Sequence, residues 1–227
     1  MQNQKELQSQ LKIKKGWLED RELQFRWEIA LRDPISFLKD FVYTYDPHGE
    51  PTVKKLYQQE YLYYLTNLWL KEPLLLVAKS RQMLVTWLFV ALFTWDAISH
   101  KGRFIFFQSK KEDDAGNLKI PLSLLSRVKF IVDNIDERVR PIYKVSQTPP
   151  IIRFMETGSV IHGISQDSEA VRQYTATGIL ADELAFQENA ERAFEAVMPT
   201  LIGGGRFTGV SSANGKNFFY RLYADEE

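Results

Sequence analysis

Short, continuous apolar runs alternate with longer helical patterns from the middle of the chain to its end. Such runs are typical of buried parallel strands, and they occupy residues 74–78, 103–108, 179–181 and 207–210. Residues 87–99 and 117–132 carry apolar side chains at helical spacing between the runs. This alternation favours an α/β fold, with a mostly parallel sheet flanked by helices.

Other patterns lie outside that alternation. Residues 151–155 and 159–164 flank a Glu-Thr-Gly turn, which predicts a hairpin on the edge of the sheet. Upstream, residues 7–41 show helical spacing with a break at Pro34, residues 43–51 have loop chemistry, and residues 54–70 indicate a second helix. We therefore expect an N-terminal helical extension over residues 1–50, packed on a core over residues 51–215.

The composition restricts the class of protein. A chain of 227 residues with 44% hydrophobic and 26% charged residues is neither disordered nor fibrous. Basic and acidic residues are equal at 29 each, so no global basic field attracts a polyanion. The absence of Cys excludes disulfides, thiolate zinc sites and cysteine nucleophiles. The polar N-terminus and the lack of a long apolar stretch predict a cytoplasmic protein without a membrane partner.

Ligands bind open parallel sheets at the carboxyl ends of the strands, so the residues after each predicted strand are candidates for chemistry. A phosphate-binding loop needs backbone N–H groups at a helix N-terminus, a Lys for phosphate charge and a Ser or Thr for Mg²⁺. The loop after the first strand precedes a strong helix and consists of Lys79, Ser80, Arg81, Gln82, Met83, Leu84, Val85 and Thr86. Alone, it also fits an ordinary strand-to-helix turn.

The third and fourth predicted strands also end in polar residues. Asp182 and Glu183 follow the third, where carboxylates are costly to ionise unless they bind a cation or hydrogen-bond donors. Asp182 would hold Mg²⁺ and Glu183 would polarise the attacking water, although a helix N-cap fits this motif equally well. The fourth strand is followed by Ser211, Ser212 and Asn214, which can sense a γ-phosphate or simply form a polar loop with Asn214 as a helix cap.

The three strand ends occur in the order expected of a RecA-like (ASCE) P-loop NTPase: phosphate loop, acidic pair, polar sensor. Three motifs, KSRQMLVTW, GILADELAF and SSANGKNFFY, resemble the P-loop, the Walker B strand and the coupling motif of one family. That family is the N-terminal ATPase domain of the large terminase subunit of tailed bacteriophages. Tyr57 and Gln58 resemble the start of its adenine-recognition segment, so the resemblance extends over residues 57–220.

The resemblance implies that ATP and Mg²⁺ are bound. Residues 79–86, with Tyr57 and Gln58, would bind the nucleotide. Thr86 and Asp182 would hold the metal, and Glu183 would be catalytic. Ser211, Ser212 and Asn214 would couple hydrolysis to motion.

Two positions of the loop depart from the usual P-loop pattern. Lys79 stands at the first position, as the P-loop lysine does in some terminases, and Leu84 stands where the family often has Gly. In the family, an arginine in each of the stretches that contain Arg81 and Arg172 is implicated in ATP hydrolysis. Such an arginine belongs either to the same subunit as the ATP or to a neighbouring subunit of the ring.

The resemblance also implies partners. The assembled motor would translocate double-stranded DNA into a procapsid, with the portal protein and the small terminase subunit, in the cytoplasm of an infected or lysogenic bacterial host. The subunits would form a homo-oligomeric ring, and the isolated domain would be a monomer. Residues 216–227 would begin a lid or linker, and we expect the chain to be a fragment without the nuclease domain. Two alternatives stay open: a nucleotide-binding assembly module without hydrolysis, and a helicase-like RecA-fold ATPase.

Overall fold

The structure is a computed structural model that describes residues 21–56, 59–166 and 174–224. This part of the chain contains a two-stranded and a seven-stranded sheet. The small sheet pairs β1 (Tyr43–Tyr45) with β2 (Val53–Lys55) in antiparallel orientation. The strands of the large sheet are, in chain order, β3 (Leu74–Ala78), β4 (Phe104–Ser109), β5 (Tyr143–Gln147), β6 (Pro150–Phe154), β7 (Val160–Ser165), β8 (Gly178–Asp182) and β9 (Arg206–Ser211).

The large sheet has the spatial order β3-β9-β8-β4-β7-β6-β5. Neighbouring strands from β3 to β7 in this order are parallel, whereas β6 pairs antiparallel with both β7 and β5. The carboxyl ends of β3, β9 and β8 therefore lie side by side at one edge of the sheet. The prediction of an α/β fold with a mostly parallel sheet is confirmed.

Helices flank this sheet and precede it. They are α1 (Arg21–Arg32), α2 (Pro34–Phe41), α3 (Glu60–Lys71), α4 (Val85–Ser99), α5 (Glu112–Gly116), α6 (Leu124–Asp133), α7 (Ala190–Ile202) and α8 (Phe218–Ala224). Residues 85–98 of α4 are all buried, which explains why that segment is apolar on every side. None of the helices in the described ranges is both long enough and apolar enough to cross a membrane.

The described part of the N-terminal extension packs on α4. The ring of Trp27 contacts Phe41 edge to face at 5.0 Å between centroids, and Trp95 Nε1 of α4 donates a hydrogen bond of 2.8 Å to the Ala30 carbonyl. One hydrophobic cluster contains both Trp27 and Leu92 of α4. The boundary between extension and core at residue 50 stays a prediction, and residues 1–20 lie outside the described residues.

Three predicted elements differ from the structure. Lys54 and Lys55 lie in β2, because pairing with β1 overrides the helical spacing, and α3 begins only at Glu60. The loop predicted for residues 43–51 accordingly contains β1. The helical pattern of residues 117–132 becomes a helix only at Leu124, where the hydroxyl of Ser123 caps the N-terminus.

The hairpin of β6 and β7 is not at the sheet edge. The edge strand is β5, which pairs with β6 on its outer side. Four of the five residues of β5 are exposed, so its sequence contains no apolar run. An edge strand that is polar on both faces gives a weak pattern, and the sequence analysis therefore did not predict it.

A close backbone contact between α5 and β7 yields a stability prediction. A Cβ at Gly163 would lie 2.5 Å from the Cα of Gly116, where the neighbour is backbone and cannot rotate away. We expect Gly163→Ala to lower the free energy of unfolding by about 1–3 kcal/mol in chemical denaturation. The control Val145→Thr on the exposed edge strand should change it by less than about 0.5 kcal/mol. Equal stability of the two variants would contradict the prediction.

Candidate functional site

A cleft of about 1100 Å³ opens at the carboxyl ends of β3 and β8, beside the N-terminus of α4. Residues of the small sheet of β1 and β2 also line it, as does Arg127 of α6. The lining residues are Thr44, Tyr45, Asp46, Pro47, His48, Lys54, Lys55, Lys79, Arg81, Gln82, Met83, Leu84, Val85, Thr86, Trp87, Leu122, Arg127, Asp182 and Glu183. The cleft therefore contains most of the phosphate loop and both carboxylates that the sequence analysis singled out.

The phosphate loop turns into α4 through an unusual backbone. Gln82 and Leu84 have φ values of 63° and 55°, in the left-handed region that glycine favours. Tyr61 of α3 supports the loop from outside, donating a hydrogen bond of 2.8 Å to the Met83 carbonyl. Burial raises the pKa of Tyr61, so its hydroxyl stays a donor. The loop thus makes its turn without a glycine at position 84, at a cost in backbone strain.

Lys79 and Glu183 form an ion pair at the centre of the cleft. Lys79 Nζ lies 3.1 Å from Glu183 Oε1, with the lysine side chain 9% exposed and the glutamate side chain 38% exposed. Ser212 donates a hydrogen bond of 3.4 Å to Oε2 of the same glutamate. The phosphate loop, the acidic pair and the segment after β9 therefore meet at Glu183.

Thr86 and Asp182 form a second contact deeper in the cleft. The Thr86 hydroxyl donates a hydrogen bond of 3.0 Å to Asp182 Oδ1, and Asp182 is only 9% exposed. Burial raises the pKa of Asp182, with a further contribution from the charge of Glu183, whereas Arg127, Lys79 and Thr86 act in the opposite direction. A buried carboxylate of this kind is stabilised by a bound cation.

Two oxygen ligands at this point fit Mg²⁺. This ion commonly uses one or two protein carboxylates and completes its shell with water and substrate phosphates. Across residues 21–56, 59–166 and 174–224 no group of three or more His, Asp or Glu could hold a metal ion. The pair of Thr86 and Asp182 therefore fits a metal that binds together with a phosphorylated substrate.

The segment after β9 holds the backbone just beyond Glu183. Ser211 Oγ accepts a hydrogen bond from the Ala185 N–H at 3.0 Å, and Asn214 Nδ2 donates to the Ala185 carbonyl at 2.9 Å. Asn217 Nδ2 donates to that carbonyl as well, at 2.7 Å, and its Oδ1 accepts from Tyr220 N–H in α8. The helix cap is therefore Asn217, and the alternative that Asn214 caps this helix is wrong.

The remaining predicted residues are less central or lie outside the described residues. Arg81, Gln82 and Met83 are exposed at the mouth of the cleft, and Ser80 is exposed and does not line it. Tyr57, Gln58 and Arg172 lie outside the described residues. Their assignment to adenine recognition and to catalysis stays a prediction.

Arg127 of α6 is a cleft residue that the sequence analysis did not predict. Its guanidinium carbon lies 5.4 Å from the ring centroid of Trp87, and its Nε is buried without a hydrogen-bond partner among the described residues. Burial lowers the pKa of Arg127, while the charges of Asp182 and Glu183 oppose that shift. The only sequence signal was its position near two apolar residues, Leu125 and Val128, both of which are buried in the structure. Apolar neighbours do not distinguish a buried arginine from a solvated one.

No protein-family model and no curated protein matches this sequence. Solved structures match its fold. The large terminase of bacteriophage HK97 superposes with a TM-score of 0.66 over 86% of this chain at 10% identity. The large terminase of the thermophilic bacteriophage D6E gives 0.60 over 75% at 12% identity, and the large terminase ATPase domain of Thermus phage P74-26 gives 0.51 over 66% at 18% identity.

The chain spans 40% of the HK97 chain, 43% of the D6E chain and 62% of the P74-26 chain. The superpositions show that this chain shares the fold of phage large terminases, including the ATPase domain of the P74-26 protein. The similarity of fold confirms the predicted fold class and the predicted resemblance to phage large terminases.

The buried Thr86–Asp182 hydrogen bond predicts a stability effect without any ligand. Thr86→Val keeps the shape of the side chain but leaves Asp182 without this donor, so the free energy of unfolding should fall by about 1–3 kcal/mol. The control Thr86→Ser retains the hydroxyl and should lose less than half as much. Chemical denaturation without added ligand measures the free energy of unfolding of both variants. A Thr86→Val variant as stable as the wild type would contradict a stabilising role for this hydrogen bond.

Proposed function

We propose that this chain is the ATPase domain of a viral DNA-packaging motor, which hydrolyses Mg²⁺-ATP to drive double-stranded DNA into a procapsid. The observation that carries the proposal is the convergence of Lys79, Thr86, Asp182 and Glu183 in one cleft at the carboxyl ends of parallel strands. The likeness of the fold to large terminases supports it, and the D6E large terminase has also been solved in complex with ADP.

The phosphates of ATP would bind between the loop and the N-terminus of α4. Backbone N–H groups and the helix dipole favour anions there. Lys79 would exchange its carboxylate partner for a phosphate oxygen, which its flexible stem allows. That exchange frees Glu183 in the step that brings the substrate into the cleft.

Glu183 would then act as the general base. Its partly exposed carboxylate would accept a proton from water as the water oxygen attacks the γ-phosphorus, and the bond from that phosphorus to the ADP oxygen would break. Thr86 Oγ1 and Asp182 Oδ1 would hold Mg²⁺, which when bound offsets phosphate charge. Arg81, and Arg172 from the same or a neighbouring subunit, would stabilise the charge that develops during transfer.

The contacts of the segment after β9 suggest how hydrolysis is coupled to motion. Ser212 contacts Glu183, and Ser211 and Asn214 hold the backbone of Ala185. Asn217 holds the same residue and also caps α8, so a shift of the acidic segment would be transmitted to that helix. Movement of double-stranded DNA would further require the ring of subunits, the portal protein and the small terminase subunit.

Two observations favour a second candidate, a nucleotide-binding assembly module without hydrolysis. Lys79 and Glu183 neutralise each other in the cleft, and the phosphate loop has no glycine at position 84. A site that kept this ion pair in the presence of ATP would bind nucleotide weakly and would not activate water. The similarity to terminases favours packaging over the helicase-like alternative.

The role of Lys79 predicts a loss of affinity. Lys79→Ala removes a charge-assisted phosphate contact, so the affinity for Mg²⁺-ATP should fall by about 1.5–3 kcal/mol, which is about 10- to 150-fold. Isothermal titration calorimetry measures this change. The control Lys144→Ala removes an exposed lysine of β5 outside the cleft and should bind as the wild type does. Unchanged affinity of Lys79→Ala for Mg²⁺-ATP would contradict the proposed role of this lysine.

The proposed role of Glu183 predicts that its substitution lowers ATP turnover without weakening ATP binding. Glu183→Gln removes the base and also the carboxylate that competes for Lys79, so ATP should bind at least as tightly while turnover falls by about 10²–10⁴. Single-turnover phosphate release measures the rate, and Glu188→Gln, an exposed neighbour, is the control. Wild-type turnover in Glu183→Gln would place the base elsewhere. Binding without turnover in the wild type would favour the non-hydrolysing module.

A further inference from the structure

Arg127 is a charged residue of the cleft to which the reaction outlined above assigns no role. It projects from the first half of α6, lines the cleft and has a buried Nε with no hydrogen-bond partner in the described ranges. A guanidinium is permanently charged and all of its nitrogens are donors, so leaving the buried Nε–H without a hydrogen bond is costly. The arrangement therefore suits a ligand that supplies acceptor oxygens.

The acidic residues nearby have other partners. Asp182 accepts from Thr86, and Glu183 accepts from Lys79 and Ser212. Both carboxylates are close enough to act electrostatically on Arg127, yet neither forms an ion pair with it among the residues that the structure describes. Arg127 is thus held near the carboxylates while its donors stay available.

Trp87 of α4 orients the guanidinium. Arg127 lies over this ring, which is only 7% exposed, at a distance of 5.4 Å that allows a stabilising cation–π contact. Trp87 directly follows Thr86, the proposed metal ligand, on the first turn of the helix. The ring therefore places the arginine fork close to the end of the cleft where the metal and the attacking water would bind.

We infer that Arg127 contacts the γ-phosphate of bound ATP from within its own subunit and so distinguishes ATP from ADP. The inference rests on the proposed function. A planar fork matches two oxygens of a phosphoryl group, and this group is the part of the nucleotide expected beside Asp182 and Glu183. Arg81 is a poorer candidate for this contact because its side chain is exposed at the mouth of the cleft.

The test compares a triphosphate with a diphosphate in the whole chain. The magnesium complexes of AMP-PNP and ADP are titrated by calorimetry into the wild type and into Arg127→Met, which keeps the apolar stem over Trp87 and removes the fork. We expect AMP-PNP affinity to fall about 10- to 100-fold, whereas ADP affinity changes less than about threefold. The control Arg138→Met removes an arginine outside the cleft that pairs with Asp136, and should alter neither affinity.

A folded Arg127→Met variant with an unchanged ratio of the two affinities would overturn the inference and make Arg127 a structural counter-ion of the carboxylates. A wild type that binds neither nucleotide would contradict the proposed function itself, so the two failures are distinguishable.

If Arg127→Met does not fold, the fluorescence of Trp87 in the protein with Arg127 present tests the inference instead. This signal is the difference between the wild type and Trp87→Phe. It should change with AMP-PNP and not with ADP, because only the γ-phosphate neutralises the cation that lies over the ring, and an equal response to both would refute the inference.

Discussion

The site depends on the register of three parallel strands. Ala78 of β3 pairs with Ser211 of β9, and Val210 of β9 pairs with Asp182 of β8, so all three strands end at one level. This register brings Lys79 within 3.1 Å of Glu183, across 104 positions of sequence. A slip of one residue would turn every side chain of a strand to the opposite face and separate these groups. The packing of β8, in which every residue is buried, holds the register.

The charges of the cleft balance within a small volume. Lys79 and Arg127 lie near Asp182 and Glu183, and burial alone would raise the free energy of the charged forms of Arg127 and Asp182. The Lys79–Glu183 pair and the Thr86–Asp182 hydrogen bond lower that cost. Under the proposed function, phosphate and Mg²⁺ would bring charges of both signs, so Mg²⁺-ATP could replace these internal partners without leaving a buried charge unpaired. The contacts that stabilise these charges within the protein are therefore those that binding would exchange.

The sequence predicted the parts of the site that follow apolar runs. Lys79, Thr86, Asp182 and Glu183 were predictable because a buried strand is apolar and the first polar residue after it marks the carboxyl end. Arg127 could not be predicted in this way, since its helix is amphipathic and its burial depends on packing against α4 and on the small sheet. The edge strand β5 was missed for a related reason, because four of its five residues are exposed and it has no apolar run.

Backbone strain is concentrated where the chemistry would occur. Gln82, Leu84 and Glu183 all adopt left-handed backbone conformations, which L-residues rarely do, and each lies in the loop or the acidic segment of the cleft. Such strain persists only where the surrounding structure enforces it. Here α4 is buried along residues 85–98, and Ser211, Asn214 and Asn217 hold the backbone of Ala185 beyond Glu183. The packed core thus supplies the stabilisation that keeps the loop and the glutamate in conformations they would not adopt alone.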